Sequence, residues 1–167
     1  MTSGVAGREE QFRVVVATHG PAIRRIARIY AGSDGEEEDL YQEILYQIWN
    51  SLPSFRGQSA IGTWAYRVAL NVGLGYRRRE TRRWQTHDPT TIVADLPAPA
   101  ASPASVEDAI LAEFVGSLNP VDRSVLGLYM EGLKQQDIAE VTGLSVGAVG
   151  VRIHRLKQLF KQRYVER

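Results

Sequence analysis

Arginine is concentrated in one short segment whose neighbours could bind nucleic acid. Five of the eight residues at positions 76–83, YRRRETRR, are arginine, although the 167-residue chain has a formal net charge of only +1. Aromatic residues are interleaved with this run: Trp64, Tyr66, Tyr76 and Trp84. Guanidinium groups attract phosphate, and aromatic faces can stack on unpaired bases. The segment predicts a contact with nucleic acid, with solvated arginines beside core aromatics as the alternative.

A second candidate lies near the end of the chain. From Ser145 onward, Val149, Ile153, Leu156 and Phe160 follow helical spacing, and the opposite face carries Arg152, His154, Arg155 and Gln158. A short helix, QQDIAEVT, and a GLS turn precede it. Two short helices joined by a glycine-containing turn predict a helix-turn-helix, whose second helix enters the major groove. An ordinary helical hairpin with solvated arginines is the alternative.

An acidic block occupies residues 36–39, EEED. Carboxylates could hold a metal ion, but a metal-dependent hydrolase would need converging ligands, and His19, His87 and His154 show no ligand spacing. We therefore predict no metal site. A helix start or a docking surface for a basic partner explains the block better.

Helices are expected to position all three groups. Before residue 85 the apolar stripes have a helical period, for example Leu40, Ile44, Ile48 and Leu52. An earlier helix or pair of helices is expected to be bent or interrupted near Gly20-Pro21. No alternation of period two marks a strand, so the fold class is all-α.

Two small domains are predicted. Residues 85–105 hold four of the seven prolines and neither lysine nor arginine. This composition predicts a linker between domains at residues 1–84 and 106–167, with a long surface loop as the alternative. Helix-start signals follow at Ser105 and at Asn119-Pro120, and Gly132 and Gly143 fit helix ends.

Composition excludes several classes of protein. The chain has no cysteine, no apolar run long enough to span a bilayer and no secretory pattern at residues 1–12. These features predict a cytoplasmic protein without membrane insertion, disulfides or cysteine chemistry. No cofactor and no catalytic residue is predicted.

Four stretches together resemble an extracytoplasmic-function (ECF, group IV) sigma factor of the sigma-70 superfamily. EEEDLYQEILYQIW is similar to region 2.2, and SFRGQSAIGTWAYRVALNVGLGYRRRETRR to regions 2.3 and 2.4. LNPVDRSVLGLYMEGLKQQDIAEVTGLSVGAVGVRIHRLKQ resembles region 4, and the proline-rich stretch lies where the family has its interdomain linker. The order and spacing of these motifs make the resemblance specific.

The resemblance implies a promoter-specificity subunit of RNA polymerase with no catalysis of its own. It implies docking on the clamp helices of the largest polymerase subunit through Asp39, Gln42 and Glu43. The linker would follow the path toward the RNA exit, and region 4 would touch the flap of the second-largest subunit. Family members are often sequestered by an anti-sigma factor, and the sequence identifies no such partner.

Promoter contacts are implied in both domains. The loop at residues 55–59 would help to capture a flipped base and so assist melting. Implied minus-ten contacts are Arg56, Gln58, Trp64, Arg67, Asn71, Arg77, Arg78 and Arg79. Implied minus-thirty-five contacts are Ser145, Val151, Arg152, His154 and Arg155.

The recognition helix departs from the family pattern at Ala148, Gly150 and Val151, where polar or basic residues are common. We expect an altered upstream-element preference, with Val151 available to a thymine methyl and Gly147 and Gly150 permitting close backbone approach. The alternative function is a dimeric helix-turn-helix regulator with a separate sensing domain. It predicts a stable homodimer, whereas a sigma factor predicts a monomer that binds duplex promoter DNA weakly without polymerase.

Overall fold

A computed structural model of the chain describes the backbone of residues 2–87 and 105–166, with side chains at 7–80 and 105–166. The described residues form seven α-helices and no strand, which confirms the all-α prediction. The predicted linker falls mainly on residues 88–104, outside the described part.

Three helices form the first domain: α1 (Thr2–Tyr30), α2 (Asp34–Ser51) and α3 (Ile61–His87). Each packs against the other two around fully buried side chains that include Val15, Ile23, Leu40, Ile44 and Ala65. The Ser33 hydroxyl caps α2 by accepting a hydrogen bond from the Glu36 N–H at 3.2 Å. A short 3-10 turn, Leu52–Ser54, leads from α2 into the loop before α3.

The expected interruption of the first helix at Gly20-Pro21 is wrong. Helix α1 is continuous from Thr2 to Tyr30, with Pro21 inside it. Proline in a helix interior costs about 3 kcal/mol. The next two turns bury Ala22, Ile23, Ile26 and Ala27 against α2 and α3, and this packing offsets that cost.

Helix α3 continues to His87, so the first three residues of the predicted linker, residues 85–87, are helical. Asp88 and Pro89 follow directly.

Four helices form the second domain: α4 (Val106–Gly116), α5 (Pro120–Met130), α6 (Gln135–Thr142) and α7 (Val146–Tyr164). The starts predicted at Ser105 and Asn119 are confirmed, since each side chain accepts a hydrogen bond from the N–H three residues later, at 3.0 and 2.9 Å. Gly132 and Gly143 follow α5 and α6 with φ of +80° and +76°. Both are left-handed conformations that favour glycine.

The two domains pack directly on each other, α5 against α1 and α6 against α3. The Tyr30 hydroxyl at the end of α1 lies 2.5 Å from Ser124 Oγ on α5. Arg123, which is 1% exposed, donates from Nη2 to Gly116 O at 2.7 Å and from Nη1 to Ile29 O at 3.4 Å. This buried guanidinium therefore joins the carbonyl ends of α1 and α4.

Candidate nucleic-acid and polymerase interfaces

Helix α3 carries a polar stripe on the face opposite its buried side. Its inner face buries Ala65, Tyr66, Ala69 and Leu70. Trp64, Arg67, Asn71 and Arg78 recur at intervals of three, four and seven residues, so they lie on one outer face. Asn71 and Arg78 are exposed, and Trp64 and Arg67 are half-buried. The structure thus brings four of the predicted minus-ten residues together along one face.

The loop before α3 places Phe55 beside Trp64 of this outer stripe and carries two exposed polar side chains. The Phe55 ring lies 5.2 Å from the Trp64 ring, centroid to centroid, at an interplanar angle of 44°. Gly57 has φ of +69°, a left-handed conformation that supports the tight turn. Arg56 and Gln58 on either side of it are exposed. An aromatic wall flanked by two exposed hydrogen-bonding side chains is the chemistry that a flipped base requires.

The remaining predicted arginines of α3 do not share the outer stripe. Arg79 bonds Glu43 of α2 from Nη2 at 2.9 and 3.2 Å. Arg77 is half-buried and interacts electrostatically with Arg123 of α5. The side chains of Arg82, Arg83 and Trp84 lie outside the described residues.

Arg67 is the stripe residue that contacts the second domain. Its Nε donates to Glu140 O and its Nη2 to Glu140 Oε1, both at 3.0 Å. Glu140 lies on α6, the first helix of the helix-turn-helix. In this arrangement a predicted DNA-contact residue bonds the other domain.

The described aromatic residues of α3 all pack in or against the core, Tyr66 buried and Trp64 and Tyr76 half-buried, which favours the alternative of core aromatics. Tyr66 is buried, and its hydroxyl oxygen lies 3.0 Å from His19 Nδ1. Tyr76 is half-buried, and burial together with Glu36 and Glu80 raises its pKa to about 12. It therefore stays a neutral phenol, and Trp64 is the described aromatic residue of α3 that faces the stripe.

The acidic block is mostly engaged inside the first domain. Glu37 is 5% exposed and accepts from Arg28 Nε at 2.7 Å. Glu38 accepts from Arg24 Nη1 at 2.8 Å and from Gln42 Nε2 at 2.9 Å, and the hydrogen bond from Gln42, followed by that from Arg24, lowers its pKa. These bonds give Glu37 and Glu38 structural roles that the sequence did not indicate.

The predicted polymerase-docking residues remain on the outer side of α2. Asp39 and Gln42 are exposed, and Glu43 is half-buried against Arg79. Tyr46 lies one turn further along the same face and is 63% exposed. Sequence reasoning missed this residue; the available signal was an aromatic side chain on the polar face of an amphipathic helix.

The second domain contains the predicted helix-turn-helix. Helices α6 and α7 pack on each other and on α5, and α7 buries Val149, Ile153 and Leu156. Ser145 caps α7 by accepting from Ala148 N at 3.1 Å. Val151 is 70% exposed and His154 is exposed, so both face solvent on the recognition helix.

The two recognition-helix arginines share one carboxylate. Arg152 Nη1 donates to Asp122 Oδ1 at 2.6 Å, and Arg155 Nη2 donates to Asp122 Oδ2 at 2.5 Å. Gly150 packs against α6, where an added Cβ would lie 2.9 Å from Gln135 Oε1, while Gly147 is exposed with no neighbour within 4 Å of an added Cβ. The Gln135 side chain is exposed and can move aside, so packing does not require glycine at position 150, and Gly147 is open to a ligand.

Other chemistry has little support in the described part of the chain. Residues 2–87 and 105–166 contain no group of three His, Cys, Asp or Glu side chains arranged to hold a metal ion. The same residues include no helix with the length and hydropathy of a membrane span.

Comparisons with known proteins match both domains. The family model described as sigma-70 region 2 matches residues 15–83, and the model described as sigma-70, region 4 matches residues 108–159. The ECF RNA polymerase sigma-E factor of Haemophilus influenzae is 27% identical, over 94% of this chain and 89% of that protein. RNA polymerase sigma factor CnrH of Cupriavidus metallidurans is 29% identical, over 91% of this chain and 85% of that protein.

Two solved structures share the fold. One is the sigma factor RpoE in complex with the anti-sigma factor NepR from Bartonella quintana, with a TM-score of 0.76 and 22% identity over 93% of this chain and 98% of that one. The other is CnrH in complex with the cytosolic domain of CnrY, with a TM-score of 0.65 and 27% identity over 90% of this chain and 85% of that one. The two matched regions, their order in the chain and these relatives lead to one conclusion: the chain belongs to the ECF class of sigma-70 family RNA polymerase sigma factors.

Proposed function

We propose that this sigma factor docks on core RNA polymerase through α2, holds the minus-ten element on the outer stripe of α3 and reads the minus-thirty-five element with α7. The observation that supports the proposal is the presence of two separate exposed surfaces whose side chains have the chemistry of DNA contacts. One combines exposed Asn71 and Arg78 with Trp64, and the other is a helix-turn-helix with exposed Val151 and His154. A single-site regulator needs only the second.

The docking surface comprises Asp39, Gln42, Glu43 and Tyr46. Its first three members supply hydrogen-bond acceptors and negative charge, and Tyr46 supplies exposed aromatic area. Aromatic anchors often carry much of the energy of an interface, while flanking charges set orientation and rate of association. We therefore place Tyr46 beside the clamp helices of the largest polymerase subunit, with the three polar residues around it.

Melting is assigned to the loop at residues 55–59 and to Trp64. A base leaving the duplex loses stacking worth a few kcal/mol, which the Phe55 and Trp64 rings can replace. Arg56 and Gln58 are close in sequence to Phe55 and exposed, so they can bond the edges of that base. Promoter DNA bearing a fluorescent adenine analogue in the minus-ten element reports this step, and Trp64→Ala should reduce the fluorescence gain on opening.

Promoter engagement through the Nε–Nη2 edge of Arg67 requires the Glu140 bonds to open, because both nitrogens of that edge donate to Glu140. One side-chain contact between the two domains is then lost when the promoter is bound.

The deciding experiment is transcription in vitro with purified core polymerase on promoters carrying randomised minus-ten and minus-thirty-five elements. Selective initiation with enriched bases at both elements is expected. The Asp39→Ala, Glu43→Ala double variant and Tyr46→Ala should each weaken core binding, whereas Glu9→Ala with Glu10→Ala on α1 removes the same charge elsewhere and should not.

The opposite result has an equally specific meaning. A stable homodimer that binds palindromic DNA without polymerase, and neither binds core polymerase nor initiates, would contradict the sigma-factor proposal. It would support a dimeric helix-turn-helix regulator.

An anti-sigma partner is the last part of the proposal. One solved relative is a complex with an anti-sigma factor, the other is a complex with the cytosolic domain of CnrY, and this chain shares their fold. A protein of that kind that binds this chain should prevent its transcription with core polymerase. Tight binding without inhibition would contradict this assignment.

A further inference from the structure

Asp122, in the first turn of α5, has a buried carboxylate that faces the recognition helix. The residue is 3% exposed. Its Oδ2 accepts hydrogen bonds from Asn119 Nδ2 at 2.7 Å and from Arg155 Nη2 at 2.5 Å, and its Oδ1 accepts from Arg152 Nη1 at 2.6 Å. The carboxylate therefore connects the N-terminus of α5 to two residues of α7.

The arrangement does not remove the arginines from solvent. Their side chains remain 31% and 52% exposed for Arg152 and Arg155, whereas the Asp122 side chain is 5% exposed. A guanidinium has five N–H donors, and each of these two donates to Asp122 through one nitrogen. The acceptor is hidden, and other donors on both arginines can still face a ligand.

We infer that Asp122 is a positioning residue for upstream-element recognition: it holds the guanidinium groups of Arg152 and Arg155 in fixed orientations on the DNA-facing helix. This inference rests on the proposed role of α7 at the minus-thirty-five element. Bidentate bonding to guanine requires the guanidinium plane to match the base edge, and side chains locked before binding lose less conformational freedom.

Charge supports the same role. One carboxylate between two guanidinium groups leaves a net charge of +1 where two free arginines would carry +2. Phosphate contacts depend on charge and are indifferent to sequence, whereas base contacts depend on orientation. Asp122 therefore lowers sequence-independent attraction and favours base readout.

The test uses holoenzyme assembled from core polymerase and the full chain, on promoters with a fixed minus-ten element and a randomised upstream element. Asp122→Asn keeps the side-chain shape and removes its charge. It should reduce discrimination between the best and scrambled upstream elements by at least about tenfold, the loss expected for one misaligned bidentate contact. Affinity for scrambled DNA should stay equal or rise, with a steeper dependence on salt.

Asp137→Asn is the matched control, because Asp137 is a half-buried acid on neighbouring α6. It makes the same change in net charge and should raise affinity for all upstream sequences alike, with discrimination unchanged. Unchanged discrimination in Asp122→Asn would overturn the inference. So would an equal loss of binding to every sequence, which a purely structural role predicts.

A measurement on the unmodified chain keeps the inference testable if Asp122→Asn does not fold. With ¹⁵N-labelled arginine, Arg152 and Arg155 should give separate, slowly exchanging Nη resonances, unlike the exposed Arg78. Averaged resonances for both would overturn the inference. If the unmodified holoenzyme initiates transcription but selects no upstream sequence, the proposed role of α7 is wrong. If the unmodified holoenzyme selects an upstream sequence and Asp122→Asn selects it equally well, only the positioning role of Asp122 is wrong.

Discussion

Gly73 and Gly75 lie two residues apart on α3, and the structure predicts opposite effects of replacing them with alanine. A Cβ on Gly73 would lie 2.5 Å from Tyr30 Cδ2 and 2.9 Å from Tyr30 Cγ. A Cβ on Gly75 would meet only Arg79 Nη1, at 3.7 Å, an ordinary contact. Gly73 is therefore required by a close approach of α3 to α1, and Gly75 is not.

The magnitude at Gly73 follows from what its neighbour can do. Tyr30 is 1% exposed and its hydroxyl bonds Ser124, so the ring cannot move away without losing that bond. Overpacking costs about 1–3 kcal/mol and a lost hydrogen bond about 1 kcal/mol, while the gain in helix propensity is about 1 kcal/mol. Gly73→Ala should therefore lower the free energy of unfolding by about 1–3 kcal/mol, whereas Gly75→Ala should raise it by up to about 1 kcal/mol.

Urea denaturation followed by far-UV circular dichroism measures the free energy of unfolding of both variants. Equal slopes of this free energy against urea concentration show that the same unfolding transition is compared. Tyr30→Leu removes the ring and so tests whether contact with that ring causes the loss of stability in Gly73→Ala. In that background Gly73→Ala should lose most of its penalty, a non-additivity expected of residues in direct contact. A Gly73→Ala protein as stable as Gly75→Ala would refute the reasoning.

Three further outcomes are expected. Burial lowers the pKa of His19 below its ordinary value of 6.5. As the pH falls, the unfolded chain therefore binds this proton before the folded chain does. The contribution of His19 to the free energy of unfolding should be complete above about pH 6.5 and should fall as the pH drops toward the folded-state pKa. His19→Gln should remove that part of the pH dependence in unfolding curves, and an unchanged dependence would contradict it. Gly127→Leu should separate the domains, because even a Cβ at this position would lie 2.9 Å from Ile29 Cδ1. Small-angle X-ray scattering should then show a larger radius of gyration, and an unchanged radius would argue against this contact. Promoter binding by holoenzyme should weaken steeply with salt, and Arg78→Ala should reduce the slope by about 1, whereas Arg13→Ala on α1, where Arg13 pairs with Glu9 and Glu10, should leave it unchanged.

Local features of the fold could be predicted from the sequence because they depend on neighbouring residues. The caps at Ser105 and Asn119, the glycine after α5 and the inner face of α7 each involve residues within a few positions of one another. Continuity of α1 through Pro21 could not, because it depends on packing against α2 and α3. The proline penalty is local, and the energy that offsets it is not.

The bonding of the candidate site residues could not be predicted from the sequence. The family resemblance implied Trp64, Arg67 and Asn71 as minus-ten contacts, and the structure places them on one face of α3. The partners of the arginines lie far away along the chain, with Arg67 and Glu140 separated by 73 residues and Arg155 and Asp122 by 33. Such pairs arise from helix packing, for which a single sequence carries no periodic signal.

Several arginines implied in DNA contacts are paired with carboxylates in the folded protein. Arg67, Arg79, Arg152 and Arg155 each bond a carboxylate of the folded protein. Glu140 differs from the other partners because it belongs to the opposite domain from its arginine. Under the proposed function, DNA that binds the Nε–Nη2 edge of Arg67 must displace Glu140, so promoter binding through that edge weakens a contact between the domains. Linkage requires the reverse as well: polymerase that holds the domains apart frees Arg67 and strengthens promoter binding. The Arg67–Glu140 pair therefore makes the DNA contact of the first domain depend on the position of the second domain.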